Sequence, residues 1–216
     1  MKVVIIGGVA GGASAAARLR RLDENAEIII LERGEYVSFA NCGLPYYIGG
    51  EITEKGKLTL QTPQSFKSRF NIDVRVKNEA VEIDPQSNTV TVRDISEGST
   101  YMESYDKLIL SPGAEPIKPP IEGMDLHGVF TLRNIPDTLK IKDYIDKEKP
   151  QSAAVVGGGY IGVEMAENLA DLGLKVTIVE LADHLIAPLD SDMAADVHKY
   201  LRDKEINLVL NNGIKS

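Results

Sequence analysis

Apolar and polar positions in this chain follow two different periods. Short runs that are almost wholly apolar and rich in β-branched residues occupy positions 2–6, 28–31, 108–110, 153–156, 176–179 and 207–210. That pattern predicts strands buried on both faces of a parallel sheet. Four segments with helical character lie among them. Residues 13–22 are rich in Ala, Arg and Leu, 137–146 are charged and amphipathic, 163–172 are closed by Gly173, and 190–204 form the last. From Asn71 the period changes to two. Residues 73–76, 80–84, 89–95 and 100–105 predict short antiparallel strands, with turns at Asp84-Pro85-Gln86-Ser87-Asn88 and Glu97-Gly98. The stretch Pro116-Ile117-Lys118-Pro119-Pro120 can continue neither strand nor helix and is the best linker in the chain.

The first apolar strand runs into Gly7-Gly8-Val9-Ala10-Gly11-Gly12, then a helix, then a strand ending at Glu32, twenty residues after Gly12. Strand, glycine-rich turn, helix, strand and terminal acid together predict a dinucleotide site. The glycines let the backbone approach a pyrophosphate, the helix N-terminus offers N–H groups, and Glu32 can accept from a ribose hydroxyl. Val9 stands where the pattern has its middle glycine. The arrangement recurs at Gly157-Gly158-Gly159-Tyr160-Ile161-Gly162, with Glu180 eighteen residues after Gly162 and Ala166 at the expected close helix–strand contact. Here Gly157, Gly159 and Gly162 are all in register. Glu180 suits an unphosphorylated 2′-hydroxyl, because a 2′-phosphate would meet its charge. The fold expected is α/β, with two Rossmann-like dinucleotide-binding units, an inserted antiparallel β-meander, and the second unit truncated. Residues 1–114 form the first domain and 115–216 the second.

Composition narrows the partners. The formal charge of −8 argues against nucleic acid. No apolar run approaches the ~20 residues of a membrane span, and the start of the chain has no signal-peptide pattern. A single cysteine in 216 residues fits a reducing, cytoplasmic setting. Basic residues nevertheless cluster at Arg18, Arg20 and Arg21 and at Lys67 and Arg69, room enough for a small anionic ligand. No metal site is expected, and His127, His184 and His198 lack partners at catalytic spacing, which leaves them surface or packing roles.

The lone thiol, Cys42, lies in Tyr36-Val37-Ser38-Phe39-Ala40-Asn41-Cys42-Gly43-Leu44-Pro45-Tyr46. A free cysteine is most often a small core residue. Its polar and small neighbours, and the helix start suggested by Pro45 in a first turn, favour a reactive thiol instead, because the positive end of a helix favours thiolate. It also follows Glu32 closely, at the carboxyl edge of the first sheet.

These motifs together resemble the single-cysteine branch of the pyridine nucleotide–disulfide oxidoreductases, which includes coenzyme A-disulfide reductases and NADH-dependent persulfide or polysulfide reductases. The resemblance covers all 216 residues and includes Ser38-Phe39-Ala40-Asn41-Cys42 and Ser111-Pro112-Gly113-Ala114; Val9 in the first turn is shared with that branch. It implies FAD in the first unit, held with Arg33, Val81, Ser111, Pro112 and Gly113. NADH or NADPH, NADH favoured, would occupy the second. Tyr160, followed by Ile161, would cover the flavin and move aside for nicotinamide. Cys42, with Asn41 and Ser38 beside it, would form a mixed disulfide with the substrate thiol. Ser14, Arg18, Arg21, Ser38 and Asn41 match positions that contact coenzyme A. Arg18 and Arg21, three apart on one helix face, could reach one phosphate.

Two other readings stand beside this one. An NADH oxidase or peroxidase would cycle Cys42 through sulfenic acid, but those relatives typically carry a histidine in the first turn, where this chain has Ala10. A non-catalytic nucleotide-binding fragment is the other, since relatives continue beyond residue 216 into a later flavin motif, a C-terminal dimerisation domain and, in some, a rhodanese-type domain. The resemblance therefore implies a cytoplasmic homodimer as the full-length enzyme, with this chain inactive alone.

Overall fold

The computed structural model describes residues 1–215. Residues 1–40 and 56–115 form one compact unit, and residues 41–55 and 116–215 form a second.

In the first unit, β1 (Lys2–Ile6) leads through the glycine turn into α1 (Ala10–Leu22) and β2 (Glu27–Glu32). A 3-10 turn at Lys55–Leu58 and helix α3 (Pro63–Phe70) then precede β3 (Asp73–Val76). The antiparallel strands β4 (Asn78–Asp84), β5 (Thr89–Asp94) and β6 (Thr100–Ser104) follow, and β7 (Lys107–Leu110) closes the unit; α2 (Leu44–Gly49) belongs to the other. The parallel sheet has the order β3-β2-β1-β7. Alternation explains why its strands read as unbroken apolar runs. Val3, Ile5, Ile28 and Ile30 pack with Ala13, Ala16 and Phe66 on the helical face. Val4, Ile29 and Leu31 pack with Val90 and Val92 of the meander on the other. Each of these valine, leucine, isoleucine and phenylalanine side chains contributes about 1.5–3 kcal/mol by leaving water. A polar cluster also joins the layers: the half-exposed Lys2 and Arg75 both donate to Glu103, 9% exposed on β6.

One expectation is corrected here. Residues 73–76 are not an antiparallel strand of the meander: β3 pairs parallel to β2, Ile30 opposite Val74. The cause is α3, which carries the chain back over the sheet so that the next strand runs in the same direction. The meander has three strands, with a bulge between Ala80 and Glu82.

In the second unit, a 3-10 turn at Asn41–Gly43 runs into α2 (Leu44–Gly49). Helix α4 (Ile135–Glu148), β8 (Ser152–Val156), α5 (Tyr160–Asp171), β9 (Lys175–Val179), α6 (Ser191–Asp203) and β10 (Asn207–Val209) complete it. Its parallel sheet has the order β10-β9-β8. Ile48, Ile141, Met165, Ala166, Val176, Ile178, Leu185 and Leu201 share its core. Ala166 is fully buried there, which lets α5 lie close to the sheet.

Candidate functional site

Helix α1 starts at Ala10, earlier than the apolar spacing suggests, so Gly11 and Gly12 lie in its first turn. The first helical acceptor bond is Ala13 N–H to Val9 O, and no side chain caps the N-terminus. The N–H groups ahead of Ala13 are therefore unclaimed by the helix, and no acid stands in its first turn. Gly12 has to be glycine: a Cβ there would lie 1.8 Å from Gly7 O. Gly7, at φ +96°, would bring a Cβ within 2.0 Å of Ser111 O, so Ser111-Pro112 is packed directly on the turn. A recess of about 310 Å³ beside it is lined by Ile6, Ala80, Val81, Glu82, Ile83, Leu110 and Pro112. This brings Val81, exposed at the β4 bulge, next to Pro112. Arg33 is exposed and pairs with Glu115.

Gly8 is held from both sides. Its N–H donates to Glu32 Oε2 at 2.8 Å, and its carbonyl accepts the Ser38 N–H at 2.8 Å. Glu32 Oε1 accepts the Gly34 N–H at 2.7 Å, and Val37 packs where a Gly8 Cβ would be, at 2.8 Å. Ser38 itself is left-handed, at φ +46°.

The second unit repeats this clamp residue for residue. Gly158 N–H donates to Glu180 Oε2 at 2.5 Å, and Gly158 O accepts the Ile186 N–H at 2.8 Å. Glu180 Oε1 accepts the Ala182 N–H at 2.7 Å, and Leu185 Cδ2 lies 2.2 Å from a would-be Gly158 Cβ. Ile186, like Ser38, is left-handed, at φ +53°. Both left-handed residues come six positions after their acid (32 to 38, 180 to 186). The Ala182 and Gly158 N–H groups hold the Glu180 carboxyl below the usual carboxylate range, so it is ionised at neutral pH.

The two outer glycines of this turn face open space. Neither Gly157 nor Gly159 would bring a Cβ within 4 Å of any other part of the protein, whereas Gly162 would place one 2.0 Å from Gly157 O. Helix α5 has no side-chain cap and no acid in its first turn. Open glycine backbone in front of uncapped helix N–H groups is the donor set a pyrophosphate requires, and this structure supplies it. Tyr160 and Ile161, in the first turn of α5, are exposed.

Ser14, Arg18 and Arg21 are exposed along one side of α1. Arg20 is committed elsewhere: its guanidinium donates to the backbone carbonyls of Phe70, Asp23, Glu24 and Asn71. Lys67 bonds Asn71 Oδ1, and Arg69 lies over the Phe70 ring.

Cys42 is exposed, so it is not a core residue. It sits in the 3-10 turn that opens into α2, where Pro45 occupies the first turn as the sequence suggests. Asn41 is exposed beside it. Helix α2 packs on α5 so closely that a Cβ on Gly49 would lie 2.2 Å from Asn168 Oδ1. Glu164 of α5, burial, and then Glu167, Glu51 and Cys42 push the Tyr46 hydroxyl pKa upward. The thiol thus lies in the turn that leads into α2, the helix that packs against the one opening at the second glycine turn. Sequence reasoning missed Val37, Leu185, Ile186 and His198. Val37 and Leu185 stand five positions after their acids and Ile186 six after Glu180, but nothing in those side chains marks the turn they cover.

Among the described residues, no group of His, Cys, Asp and Glu could hold a metal ion. No helix is long and apolar enough to cross a membrane.

Comparison with known proteins gives concordant matches. The family model described as pyridine nucleotide-disulphide oxidoreductase matches residues 1–216. A coenzyme A disulfide reductase of Staphylococcus haemolyticus is 40% identical over 215 residues, covering 100% of this chain and 48% of that protein. Two solved structures superpose over 100% of the chain. Reduced Bacillus anthracis CoADR-RHD is 55% identical with a TM-score of 0.96, and 39% of it is covered. The NAD-dependent persulfide reductase from A. fulgidus is 41% identical with a TM-score of 0.94, and 40% of it is covered. The chain thus spans about half the length of the curated relatives it matches.

Proposed function

The chain belongs to the pyridine nucleotide-disulphide oxidoreductase family, and from that premise we propose that it carries the nucleotide sites and the reactive thiol of an NADH-dependent reductase of coenzyme A disulfide or of per- and polysulfides. The carrying observation is the exposed Cys42, the sole cysteine of the chain, in the turn leading into a helix packed against the one that opens at a glycine-rich turn.

In this reading residues 7–12, Glu32, Arg33, Val81 and 111–113 hold FAD. Gly157, Gly159, Gly162, Tyr160, Ile161 and Glu180 hold the nicotinamide dinucleotide. Bound FAD would supply a two-electron relay between nicotinamide and sulfur. The ionised Glu180 favours NADH, since a 2′-phosphate would stand against its charge.

The Cys42 thiolate attacks one sulfur of the substrate disulfide. The Cys42–substrate S–S bond forms, the substrate S–S bond breaks, and the first coenzyme A leaves as thiolate and takes a proton from solvent. Two electrons originating in NADH then break the mixed disulfide, releasing the second thiol and restoring the Cys42 thiolate. The sum is NADH, a proton and one disulfide giving NAD⁺ and two thiols. With a persulfide, the Cys42 thiolate takes the outer sulfur as the parent thiol leaves, and two electrons originating in NADH then release that sulfur as sulfide and restore the thiolate. Arg18 and Arg21 would attract the coenzyme A phosphates, with Ser14, Ser38 and Asn41 as further contacts.

A cytoplasmic homodimer is the proposed full assembly, and residues 1–216 alone are expected to turn over little. The test compares NADH consumption by the flavin-loaded full-length protein with coenzyme A disulfide, a persulfide and hydrogen peroxide. Turnover of either sulfur substrate supports the reading. Turnover of peroxide alone moves the assignment to the oxidase or peroxidase branch.

A further inference from the structure

Helix α6 carries a histidine whose environment is unlike that of a packing residue. His198 is 9% exposed, and its Nε2 accepts the backbone N–H of Leu185 at 3.0 Å. Leu185 is fully buried and lies against Gly158, and the next residue, Ile186, donates its N–H to Gly158 O. A β-branched residue such as Ile186, at φ +53°, is strained and stays left-handed only where its surroundings hold it there. The first unit has a serine at the equivalent place, a side chain with less to lose in that conformation.

We propose that His198 is a positioning residue for the second glycine-rich turn: by accepting the Leu185 N–H it fixes the 180–189 loop, which in turn fixes Gly158 and Glu180. The proposal rests on the reading that this turn holds the dinucleotide. Without the acceptor, Leu185 would be left with a buried, unpaired N–H, and the loop would spend part of its time off Gly158. Apparent affinity then falls in proportion to the competent fraction.

The proton matters to this role, because only the neutral ring presents Nε2 as an acceptor. Burial, the Arg202 guanidinium on α6 and His184 in the loop all hold the His198 pKa below the usual histidine range. His184 itself is held above that range, first by its bond to Asp183. The contact is therefore intact at neutral pH, survives through the ordinary histidine pKa of about 6.5, and is lost only as pH falls through the lowered value of the folded protein.

Two variants separate the role from mere packing. His198→Gln retains an acceptor and no longer titrates there; His198→Leu retains bulk and loses the acceptor. NADH binding is measured by calorimetric titration of the flavin-loaded protein from pH 5 to 8, with amide hydrogen exchange read on the 181–189 segment. At pH 7.5 His198→Leu binds NADH about threefold to tenfold more weakly and exchanges the Leu185 amide faster, as expected for a lost buried hydrogen bond. His198→Gln matches the unaltered protein at that pH and escapes its acid-side weakening. An unaltered protein that binds no NADH overturns the assignment of the turn itself. Unaltered protein that binds, with His198→Leu matching it in both affinity and exchange, overturns the role of His198 alone.

Discussion

The two glycines that flank Tyr160-Ile161 serve different needs, and alanine separates them. At Gly159 a Cβ meets nothing within 4 Å, and φ is −73°, which alanine adopts freely. Restricting the unfolded chain favours Gly159→Ala by about 0.4–1 kcal/mol, while alanine is a poorer N-cap than glycine by a similar amount. The two nearly cancel, so the thermal midpoint should stay within a degree or two of the unaltered protein. At Gly162 the Cβ lies 2.0 Å from the Gly157 carbonyl oxygen and 3.1 Å from its carbon, both backbone atoms that cannot rotate away. Relieving that clash moves α5 off the sheet, at a cost of roughly 1–3 kcal/mol or more. In a chain of this size that lowers the midpoint by roughly 3–10 °C. Binding orders the variants the other way. In the proposed reading, the open face of Gly159 is where a pyrophosphate oxygen would approach the α5 N–H groups. A methyl there forfeits one or two charge-assisted bonds, about 1.5–3 kcal/mol each, hence at least tenfold in NADH affinity. Differential scanning calorimetry and NADH titration on the same samples decide it. Gly159→Ala protein that melts normally and binds NADH normally would refute the placement of the dinucleotide at this turn.

Further outcomes follow from the charged side chains. Replacing both Arg18 and Arg21 by alanine should raise KM for coenzyme A disulfide about tenfold, an effect that shrinks with added salt, and leave the melting temperature unchanged. Arg20→Ala should do the opposite, since Arg20 ties the end of α1 to the end of α3 through four carbonyls; a loss of roughly 1–3 kcal/mol in denaturant titration is expected. Burial favours the protonated Glu103, but the hydrogen bonds from Lys2 and Arg75 outweigh it and hold its carboxyl below the usual range. A depressed carboxyl stabilises the fold above its unfolded pKa and loses that contribution as pH falls through the folded one. Stability should therefore drop below about pH 4.5 in the unaltered protein and less steeply in Glu103→Gln, as read by urea midpoints from pH 3 to 7.

Both glycine-rich turns were legible in the chain because each is specified locally: an apolar strand, glycines at fixed offsets and a terminal acid. The helix at Pro63–Phe70 was not, since only Phe66 is buried and its start is marked by a Thr62–Ser65 capping box rather than by apolar spacing. Missing that helix is what put β3 in the wrong sheet, because period-two alternation reports one buried face and says nothing about strand direction. The clamp around Gly158 was hidden for another reason. Isoleucine disfavours the left-handed region, so nothing at Ile186 announces that its backbone folds over the turn as Ser38 does in the first unit. His198 lay beyond reach as well, its partner being a backbone N–H thirteen residues away. The exposure of Cys42 could be argued from its neighbours, but only the fold shows that the helix it leads into packs on α5.

The central claim is that Cys42 takes the substrate sulfur, and intact-mass spectrometry tests it most directly. Flavin-loaded protein is incubated with coenzyme A disulfide without NADH, weighed, and weighed again after NADH is added. The account predicts one coenzyme A adduct per chain, its loss on adding NADH, and neither adduct nor disulfide turnover in Cys42→Ser. An unmodified Cys42, or a Cys42→Ser protein that reduces the disulfide at the normal rate, contradicts it.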